Sequence, residues 1–472
     1  MRSVSFFICS LTTRSFGVFL LAVSLLPHRA FAAGDYVGDV DAIAIGQGGA
    51  YIASPDSVSA FWYNPAALAG QRGLRLQIEG GYAISNTSFA RAPNPSDGTT
   101  FDPVSATGAQ VAAFIGVTYD FGIPDLAVGA AFWSPQSNHI VYPELGAQRY
   151  QSISSGNVVL HMHLAAAYRL FHIVSLGVTF GNTYFSTDQK LSVSASPGGN
   201  PEDPAFLIPL DVKVEDAFTI TSNFGVRVEP TKWLAVGASV SPTYQVSADG
   251  TLGLTIPPAL SGLTTSGNKI SLQLNIPTIA RFGVRVRPIE RLALEAAFVY
   301  EGWSSFQTVT LTPHVNISYP LLNVNNVPVP QIKLPRNYKD AYSVRLGGEM
   351  KILPFLTGRL GVNVETSATQ PQYYDVSTPD GLKFMASAGV SVRVWKFWID
   401  AAYAHIFSPT VNVTNSKVAL TNLAPVQGAP TAIVGNGKND FSYDLIHLGV
   451  RANFFDEPKL ASASEPSTTP AP

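Results

Sequence analysis

Residues 42–70 read AIAIGQGGAYIASPDSVSAFWYNPAALAG, a compact stretch that does not alternate as a strand does. Its glycines Gly46, Gly48 and Gly49 permit close packing against another surface. It ends in Asn64-Pro65-Ala66, where a proline of fixed φ and an asparagine that can bond the following backbone give a rigid corner. A purely structural turn is an equally good interpretation of this corner. Because long amphipathic segments follow, we expect a small folded unit that lies inside a large β architecture as a plug.

The first 32 residues have the features of a secretory signal. Arg2 and Arg14 supply a basic start, Phe16–Leu26 an apolar core, and Ala30-Phe31-Ala32 a small-residue cleavage site. The core is too short to span a bilayer, which takes about 20 residues. The single cysteine, Cys9, lies in this segment. The exported chain would therefore have none, which excludes disulfides, Cys-ligated zinc and thiol catalysis.

The composition excludes further classes of protein. Hydrophobic residues make up 46% and charged residues 13%, yet after the signal no apolar run approaches about 18 residues, so transmembrane helices are excluded. Loss of the three signal arginines from 30 basic residues would leave 27 against 32 acidic ones, and no basic patch indicates nucleic-acid binding. The hydrophobicity must be spread in alternation, as in a membrane β-barrel with one face in lipid and the other in the lumen.

Alternating segments recur from Gly73 to Phe455, and the sequence predicts fourteen strands. They are residues 73–89, 108–121, 126–134, 157–170, 174–187, 212–229, 233–246, 269–287, 291–302, 340–352, 356–366, 382–394, 398–408 and 441–454. Tight connections such as Ile123-Pro124-Asp125 alternate with long polar ones such as Ser304–Lys339. Short periplasmic turns with long outer loops are typical of outer-membrane barrels. The predicted fold is all-β, a 14-stranded antiparallel transmembrane β-barrel with an N-terminal hatch in its lumen.

The predicted organisation has four parts. They are a signal peptide over 1–32, the hatch over 33–72, the barrel over 73–455 and a Ser-, Thr-, Pro- and Ala-rich tail over 456–472, expected to be disordered and periplasmic. A soluble β-sandwich or propeller is the alternative, because alternation also arises when one face packs on a core. That alternative requires an apolar inner face, whereas these strands place arginines there.

Arginines and glycines alternate with apolar residues within the strands. In one segment, Phe282 and Val284 alternate with Arg281, Gly283 and Arg285. Arginine on the lipid face costs about 2–4 kcal/mol at the bilayer centre, so the charged set is predicted to face the lumen. The candidate substrate-binding residues are Arg281, Arg285, Arg345, Arg359, Arg393 and Arg451. They could hold a carboxylate through charge-assisted bonds, or they could pair with the glutamates Glu295, Glu349 and Glu365 to stabilise a wet interior.

Evidence for catalysis or a metal is weak. His161 and His163 face the same way along one predicted strand, but no third ligand is evident, so no metal site is predicted. The sequence has no G-x-S-x-G, H-E-x-x-H or P-loop motif. We therefore predict no catalytic residue and no cofactor. The apolar loops 206–210 and 252–263 either capture a hydrophobic substrate or pack on each other.

Several collinear stretches carry a family resemblance. They are Gly46–Tyr51, Ser59–Ala66, Pro277–Gly283, Glu301–Ser304, Asn337–Glu349, Arg359–Val362 and Glu365. Through them the chain resembles the long-chain fatty-acid outer-membrane transporter family (FadL-like), which includes aromatic-hydrocarbon uptake channels. The residues that match the family's hatch, with its Asn-Pro-Ala signature, are Gly46, Gly48, Gly49, Asn64, Pro65 and Ala66. The resemblance implies a fourteen-stranded barrel with a hatch, which agrees with the strand count. It also implies passive uptake of hydrophobic molecules and sideways release through a gap made by a kinked strand.

The short third segment is a candidate for that gap. It comprises Ala127–Trp133, contains Gly129 and is followed by Ser134-Pro135. Glycine and proline both weaken or interrupt strand pairing. The expected partners are a hydrophobic small molecule, the bilayer with its lipopolysaccharide, and the barrel-assembly machinery. The expected location is the outer membrane of a Gram-negative bacterium. We expect a monomer, because a closed barrel leaves no edge to pair. A general diffusion pore, a lipid hydrolase and a non-transporting structural barrel are the alternative functions.

Overall fold

The computed structural model describes residues 38–53, 55–95, 98–320, 324–424 and 429–454. The predicted signal and the predicted tail lie outside these described residues. Twenty strands occur in the described ranges, and they join into one antiparallel sheet. They are β1 Leu74–Arg91, β2 Val104–Tyr119, β3 Leu126–Val141, β4 Ser154–Leu170, β5 Val174–Ser194, β6 Leu207–Thr231, β7 Leu234–Ser241, β8 Tyr244–Leu254, β9 Thr264–Ile276, β10 Ile279–Ile289, β11 Leu292–Glu301, β12 Thr308–Tyr319, β13 Val324–Pro328, β14 Ile332–Pro335, β15 Ala341–Leu353, β16 Leu356–Glu365, β17 Lys383–Val394, β18 Phe397–Phe407, β19 Val411–Val413 and β20 Gly437–Phe454.

These strands make fourteen crossings of the barrel wall. Nine crossings are continuous, and five are split into β7/β8, β9/β10, β11/β12, β13–β15 and β18/β19. The sheet closes because β20 pairs with β1 from Leu74–Phe454 to Arg91–Gly437. The prediction of a closed, 14-stranded antiparallel barrel is confirmed. In the described ranges, no helix is both long and apolar enough to cross a membrane.

The two ends of the barrel differ as the connection lengths predict. Tight turns lie at one end, where non-glycine residues adopt left-handed φ values of 52° at Phe121 and Phe171 and 58° at Trp395. The start of β1 and the end of β20 lie at this same end. Exposed aromatic side chains surround it, including Phe171, Trp233 and Trp395. Aromatic residues at the level of the turns are typical of a membrane interface.

The two faces of the wall carry opposite residue types. Leu360 and Leu448, on the outer face, are 70% and 60% exposed, whereas Arg285 and Arg359 on the inner face are buried. The alternation therefore points apolar side chains towards lipid and charged ones into the lumen. This arrangement is the reverse of a soluble sandwich.

The third strand differs from the prediction. It does not stop at residue 134 but continues to Val141. Residues 127–133 all pair with β4, and Gly129 pairs with both Thr118 and Ala165, so no gap opens in this segment. Pro135 is accommodated by a one-residue bulge, after which pairing resumes with β2 and β4. A bulge leaves its extra residue unpaired, so the missing proline N–H disrupts the ladder only locally.

Residues 38–53 and 55–72, which we call the plug segment, lie inside the barrel. They form two short helices, α1 Ala42–Gly46 and α2 Ala60–Tyr63, and a 3-10 helix over Pro65–Gly70. Asp41 caps α1 by accepting a hydrogen bond from Ile43 N at 2.6 Å. Helices this short are unstable alone. Their apolar side chains are buried in a core shared with the inner wall, so this packing stabilises them.

We expect Leu360→Arg to lower the free energy of unfolding by about 2–4 kcal/mol, because its side chain would enter lipid near the middle of β16. Denaturant titration of the protein refolded in phospholipid vesicles measures this change. Leu360→Ala is the control for loss of the leucine alone. Equal stability of the two variants would contradict a lipid-facing position.

Candidate functional site

The inner wall carries glycines where the plug segment crosses it. In the wall, Gly177 pairs with Gly225, Gly237 with Gly283 and Gly347 with Gly361. We call these six residues the glycine belt. A methyl group added at any of them would collide with the plug segment; at Gly283, for example, it would lie 2.9 Å from Ile52 Cβ. The belt therefore lets the plug segment approach the wall more closely than any other residue type would allow.

The three glycines predicted to allow close packing of the hatch all lie against the wall. Gly46 faces Gly389, where a methyl group would lie 3.0 Å from the Gly46 Cα. Gly48 and Gly49 adopt left-handed φ values of 65° and 76°, which glycine tolerates without strain. The Gly48 N–H also donates to Ser387 Oγ at 3.0 Å. These contacts fix the first half of the plug segment to β15–β17.

Asn64-Pro65-Ala66 forms the corner that the sequence predicts. Asn64 Oδ1 accepts from Ala66 N at 3.1 Å, and Pro65 begins the 3-10 helix. Asn64 Nδ2 donates to Ile52 O at 3.0 Å within the plug segment and to Val226 O of β6 at 3.1 Å. The asparagine therefore joins two parts of the plug segment to the wall.

Charged wall residues bond the plug backbone between these two anchors. Glu295 Oε1 accepts from Ile52 N at 2.5 Å and from Ala53 N at 2.8 Å. Arg227 Nε donates to Ala53 O at 2.8 Å. Hydrogen bonds with one charged partner are stronger than neutral ones. This turn of the plug segment is thus tied to β6 and β11.

A buried carboxylate organises the plug segment itself. Asp41 is fully buried and accepts from Ser57 Oγ at 2.7 Å, from Gln77 Nε2 at 2.9 Å and from Ser59 Oγ. Burial, together with the carboxylates of Asp39 and Asp41, raises the pKa of the Tyr63 phenol well above its usual value. The neutral phenol accepts from Val40 N at 3.0 Å. The segment is therefore held by hydrogen bonds as well as by apolar packing.

Most of the candidate lumen arginines are paired with acids. The pairs are Arg285 with Glu349, Arg359 with Glu349 at 3.2 Å, Arg451 with Asp400 at 2.6 Å, and Arg345 with Asp39 at 3.5 Å. These four arginines are largely buried around the plug segment. These contacts agree with the alternative interpretation, in which the arginines pair with acidic residues of the interior and do not bind a substrate carboxylate.

The remaining two candidates occupy different places. Arg393 is exposed near the tight-turn end, where its Nε donates to Trp395 O at 3.2 Å, so it does not join the buried arginines. Arg281 is buried, with its guanidinium carbon 4.5 Å from the centre of the Trp62 ring. Its Nη1 lies 3.4 Å from Ser241 Oγ. Arg281 is thus the candidate arginine that adjoins the cleft described next.

A cleft lies above the plug segment. Its floor is Trp62 of α2, and its walls come from β3, β4, β6 and the junctions β7/β8 and β9/β10. The lining includes Trp133, His161, Thr221, Pro242, Pro277 and Ile279. Aromatic rings surround one side: the Trp133 ring centre lies 6.2 Å from that of Trp62 and 5.0 Å from that of His161. Such a surface suits an apolar chain or an aromatic ring.

The two histidines in the cleft are hydrogen-bonded to threonine hydroxyls. His161 Nδ1 lies 2.7 Å from Thr183 Oγ1, and His163 Nε2 lies 2.8 Å from Thr221 Oγ1. The two threonine hydroxyls lie 2.6 Å apart. Within the described parts of the chain, no group of three or more His, Cys, Asp or Glu residues could hold a metal ion. The histidines therefore form a polar wall of the cleft.

A second, apolar cavity lies among the outer strands and loops. It is lined by residues such as Ile208, Leu263 and Leu423. The stretches 206–210 and 252–263, which the sequence predicts as loops and leaves open between capture and mutual packing, contribute to one buried cluster here. Residues 207–210 belong to β6 and 252–254 to β8, so the prediction of loops is wrong for these parts. The two stretches pack on each other and still leave a cavity between them.

The glycine belt is not among the features predicted from the sequence. Its signal is the pattern apolar–Gly–apolar, which recurs at Leu176-Gly177-Val178, Phe224-Gly225-Val226, Phe282-Gly283-Val284 and Leu360-Gly361-Val362. Each glycine lies on the inward side of an alternating strand. Glycine weakens a strand interior unless another backbone approaches it, so this repetition indicates a surface on which the plug segment docks.

Comparison with known proteins gives a consistent result. The family model described as outer membrane protein transport protein (OMPP1/FadL/TodX) matches residues 23–436. The long-chain fatty acid transport protein of Escherichia coli (strain K12) is 30% identical over 139 residues, or 29% of this chain and 28% of that protein. The relative from Shigella flexneri gives the same values. The chain thus spans under a third of the length of these curated relatives.

Solved structures agree in fold. A Pseudomonas aeruginosa FadL homologue has a TM-score of 0.72 at 20% identity and covers 89% of this chain and 100% of that chain. The Ralstonia pickettii toluene transporter TbuX has a TM-score of 0.62 at 16% identity. The match covers 89% of this chain and 99% of the TbuX chain. The P. putida toluene transporter TodX has a TM-score of 0.62 at 15% identity. The match covers 89% of this chain and 100% of the TodX chain. At these identities the likeness establishes the fold alone.

We expect Gly361→Ala to destabilise the docked plug segment by about 1–3 kcal/mol, because the added methyl group overpacks a backbone contact. Limited proteolysis measures faster cleavage within residues 38–72. Gly80→Ala is the matched control, since β1 Gly80 has no neighbouring atom within 4 Å of an added methyl group. Equal cleavage of both variants would contradict the role of the glycine belt.

Proposed function

Since this chain belongs to the outer membrane protein transport protein family (OMPP1/FadL/TodX), we propose that it takes up hydrophobic molecules passively through a hatch-gated lumen and releases them sideways. The substrates are long-chain fatty acids or similar lipids and hydrocarbons. The observation that carries the proposal is the cleft directly above the plug segment, with Trp62 as its floor. A ligand in this cleft contacts the plug segment, which has to move for the ligand to be released.

The path has three steps. The apolar cavity between the outer loops captures the molecule from outside. The cleft then holds the apolar part against Trp62, Trp133 and Ile279. A shift of the plug segment frees the ligand for release through the wall. No step needs a nucleotide or a metal, because partition from water into an apolar surface supplies the free energy.

Arg281 points to a substrate class within this proposal. Its guanidinium adjoins Trp62 and Ser241, at the edge of the cleft. A guanidinium beside an apolar cleft favours an amphiphile with a carboxylate over a neutral hydrocarbon. Oleate is therefore the first ligand to test, and toluene is the neutral comparison.

The alternative functions fit less well. A general diffusion pore needs an open water path, whereas the plug segment packs against the inner wall through backbone contacts. A lipid hydrolase needs an activated nucleophile. Ser271 Oγ lies 3.2 Å from His314 Nε2 on exposed outer strands, but among the described residues no carboxylate hydrogen bond orients that imidazole, as a triad requires.

We expect Asn64→Ala with Pro65→Ala to change the rate of oleate uptake into vesicles, because these substitutions remove the corner that holds the plug segment to β6. Purified, reconstituted protein with radiolabelled oleate gives both binding and uptake. Asn94→Ala with Pro95→Ala alters a second Asn-Pro pair, in an outer loop, and is the control. If the wild type bound neither oleate nor toluene and conducted ions steadily, the protein would be a general pore.

We expect Arg281→Gln to weaken oleate binding by about tenfold or more, because a charge-assisted hydrogen bond contributes about 1.5–3 kcal/mol. Binding of oleyl alcohol, which lacks the carboxylate, is expected to stay unchanged. Tryptophan fluorescence titration measures both affinities. Arg393→Gln, at the exposed tight-turn end, is the matched control. Equal losses for oleate and oleyl alcohol would contradict a carboxylate contact at Arg281.

A further inference from the structure

One ladder of the barrel wall opens and then closes again. From the tight turn, β6 pairs with β7 up to Phe224–Val240, and it pairs with β8 again from Glu215–Asp249 to Leu210–Leu254. Residues 216–223 of β6 and 241–248 of β7 and β8 have no ladder partner across this interval. The register is the same on both sides of the interval. The two strands have therefore separated without slipping.

The local sequence explains the separation. Pro242 lies at the junction of β7 and β8, and Pro277 lies at the junction of β9 and β10, at the same height in the next crossing. Proline cannot donate to a ladder. The facing strand β6 carries an extra residue, because its register with β5 shifts between Thr183–Thr219 and Phe185–Asp216. A bulge bends its strand and leaves a residue unpaired. Strand β6 and the β7/β8 crossing therefore turn away from each other here.

The upper edge of the interval is closed by a side chain. Asp216 Oδ2 accepts from Ser247 N of β8 at 2.9 Å and from Thr219 Oγ1 at 2.8 Å. Asp216 Oδ1 accepts from Phe218 N at 3.1 Å. The carboxylate thus bonds backbone groups that the ladder leaves free, and the opening ends there.

The interval connects the cleft with the outer surface. Thr221 and Asn223 on one edge and Pro242 and Tyr244 on the other all line the cleft. On the outside, the side chains of Phe218, Ile220, Phe224 and Val240 are exposed. Further along β6, the exposed residues are Lys213 and Glu215. The opening therefore lies where the apolar, lipid-facing band meets the polar outer surface.

The plug segment is attached at the lower edge of the same interval. Asn223 Nδ2 donates to Phe61 O at 3.2 Å and to Trp62 O at 3.1 Å. Ser239 Oγ donates to Tyr63 O at 2.6 Å. Helix α2 is thus bonded to both strands just where they begin to separate, so a shift of α2 acts directly on this edge.

We propose that this interval is a lateral portal, through which a hydrophobic molecule passes between the cleft and the outer leaflet. We call residues 216–223 and 241–248 the β6–β8 portal. The inference rests on the proposed function and gives it a location. The bulge of β3 is the rival place, but there the ladder is interrupted by only one extra residue and resumes on both sides. Pro135 of that bulge also lines the cleft, so contact with the cleft does not separate the two places. The portal differs in the length of its interrupted ladder, from Phe224–Val240 to Glu215–Asp249.

Cross-linking tests the portal. Thr219→Cys with Gln245→Cys places a thiol pair across it, at positions that the flanking register would bring together. The only native cysteine, Cys9, lies in the predicted signal. A short bifunctional methanethiosulfonate bridges the pair and is removed by reductant. We expect oleate uptake to fall about tenfold on bridging and to recover on reduction, because a closed gate limits the rate. Oleate binding is expected to stay unchanged.

Two further pairs complete the design. Val226→Cys with Ala238→Cys bridges the same ladder where it is already closed, and it is expected to leave uptake unchanged. Val111→Cys with Ser137→Cys bridges β2 to β3 beside the rival bulge. Loss of uptake with the β2–β3 bridge, together with normal uptake when the portal is bridged, would overturn the proposal.

A second measurement needs no transport. A maleimide carried on a phospholipid acyl chain reaches only thiols that are open to the bilayer. It is expected to label Thr221→Cys, on the inner side of the portal, several times faster than Thr179→Cys, a buried lumen position behind the closed β4–β5–β6 ladders. Equal, slow labelling of both would overturn the portal. Failure of the wild type to bind or take up oleate would reject the proposed function, while the labelling ratio still decides whether the wall is open.

Discussion

The rest of this structure depends on direct contact between the plug backbone and the barrel wall. A Cβ atom on the wall keeps a facing backbone at a distance, and glycine alone removes that limit. Gly347 and Gly361 pair side by side and receive Gln47 and Gly48, while Gly177 and Gly225 receive the Asn64-Pro65 corner. Two strips of glycine, on opposite ends of the plug segment, therefore define where it lies. The height of the cleft above it follows from the same contacts.

Close contact brings polar backbone groups into a confined space, and the wall provides partners for them. Glu295 accepts from two plug amides, and Arg227 donates to a plug carbonyl. These wall charges are in turn part of a set in which acids and arginines alternate around the lumen. Burying an unpaired charge is costly, whereas a paired and hydrogen-bonded one is tolerated. The arginines that resemble a substrate site in the sequence mostly pair with acids. Arg285, Arg359 and Arg451 bond acids of the wall, whereas Arg345 bonds Asp39 of the plug segment. Arg281 is the candidate placed beside the cleft.

Prolines determine where strand pairing in the wall is interrupted, but only in combination with the adjacent strands. Pro135 lies in a strand whose two neighbours both pair beyond it, and the ladder absorbs it as a bulge. Pro242 faces a strand that has its own bulge, and Pro277 interrupts the next crossing at the same height. A single missing donor costs one ladder bond. Coincident interruptions in adjacent strands remove several bonds from one patch of the wall, and there the strands part.

The sequence by itself determined the barrel, its fourteen crossings, its two ends and the direction in which each side chain points. These features follow from a period of two and from the lengths of connections, which are local properties of the chain. It also indicated the Asn64-Pro65 corner, because an asparagine and a proline act on their own backbone. Only the tertiary structure decided that Arg285, Arg345, Arg359 and Arg451 hold acids and that Arg281 adjoins a cleft. It also decided that ladder pairing is interrupted over a longer stretch at β6 than at β3. Those outcomes depend on which residues the closed sheet brings face to face across the lumen and between strands, and no local pattern encodes that register.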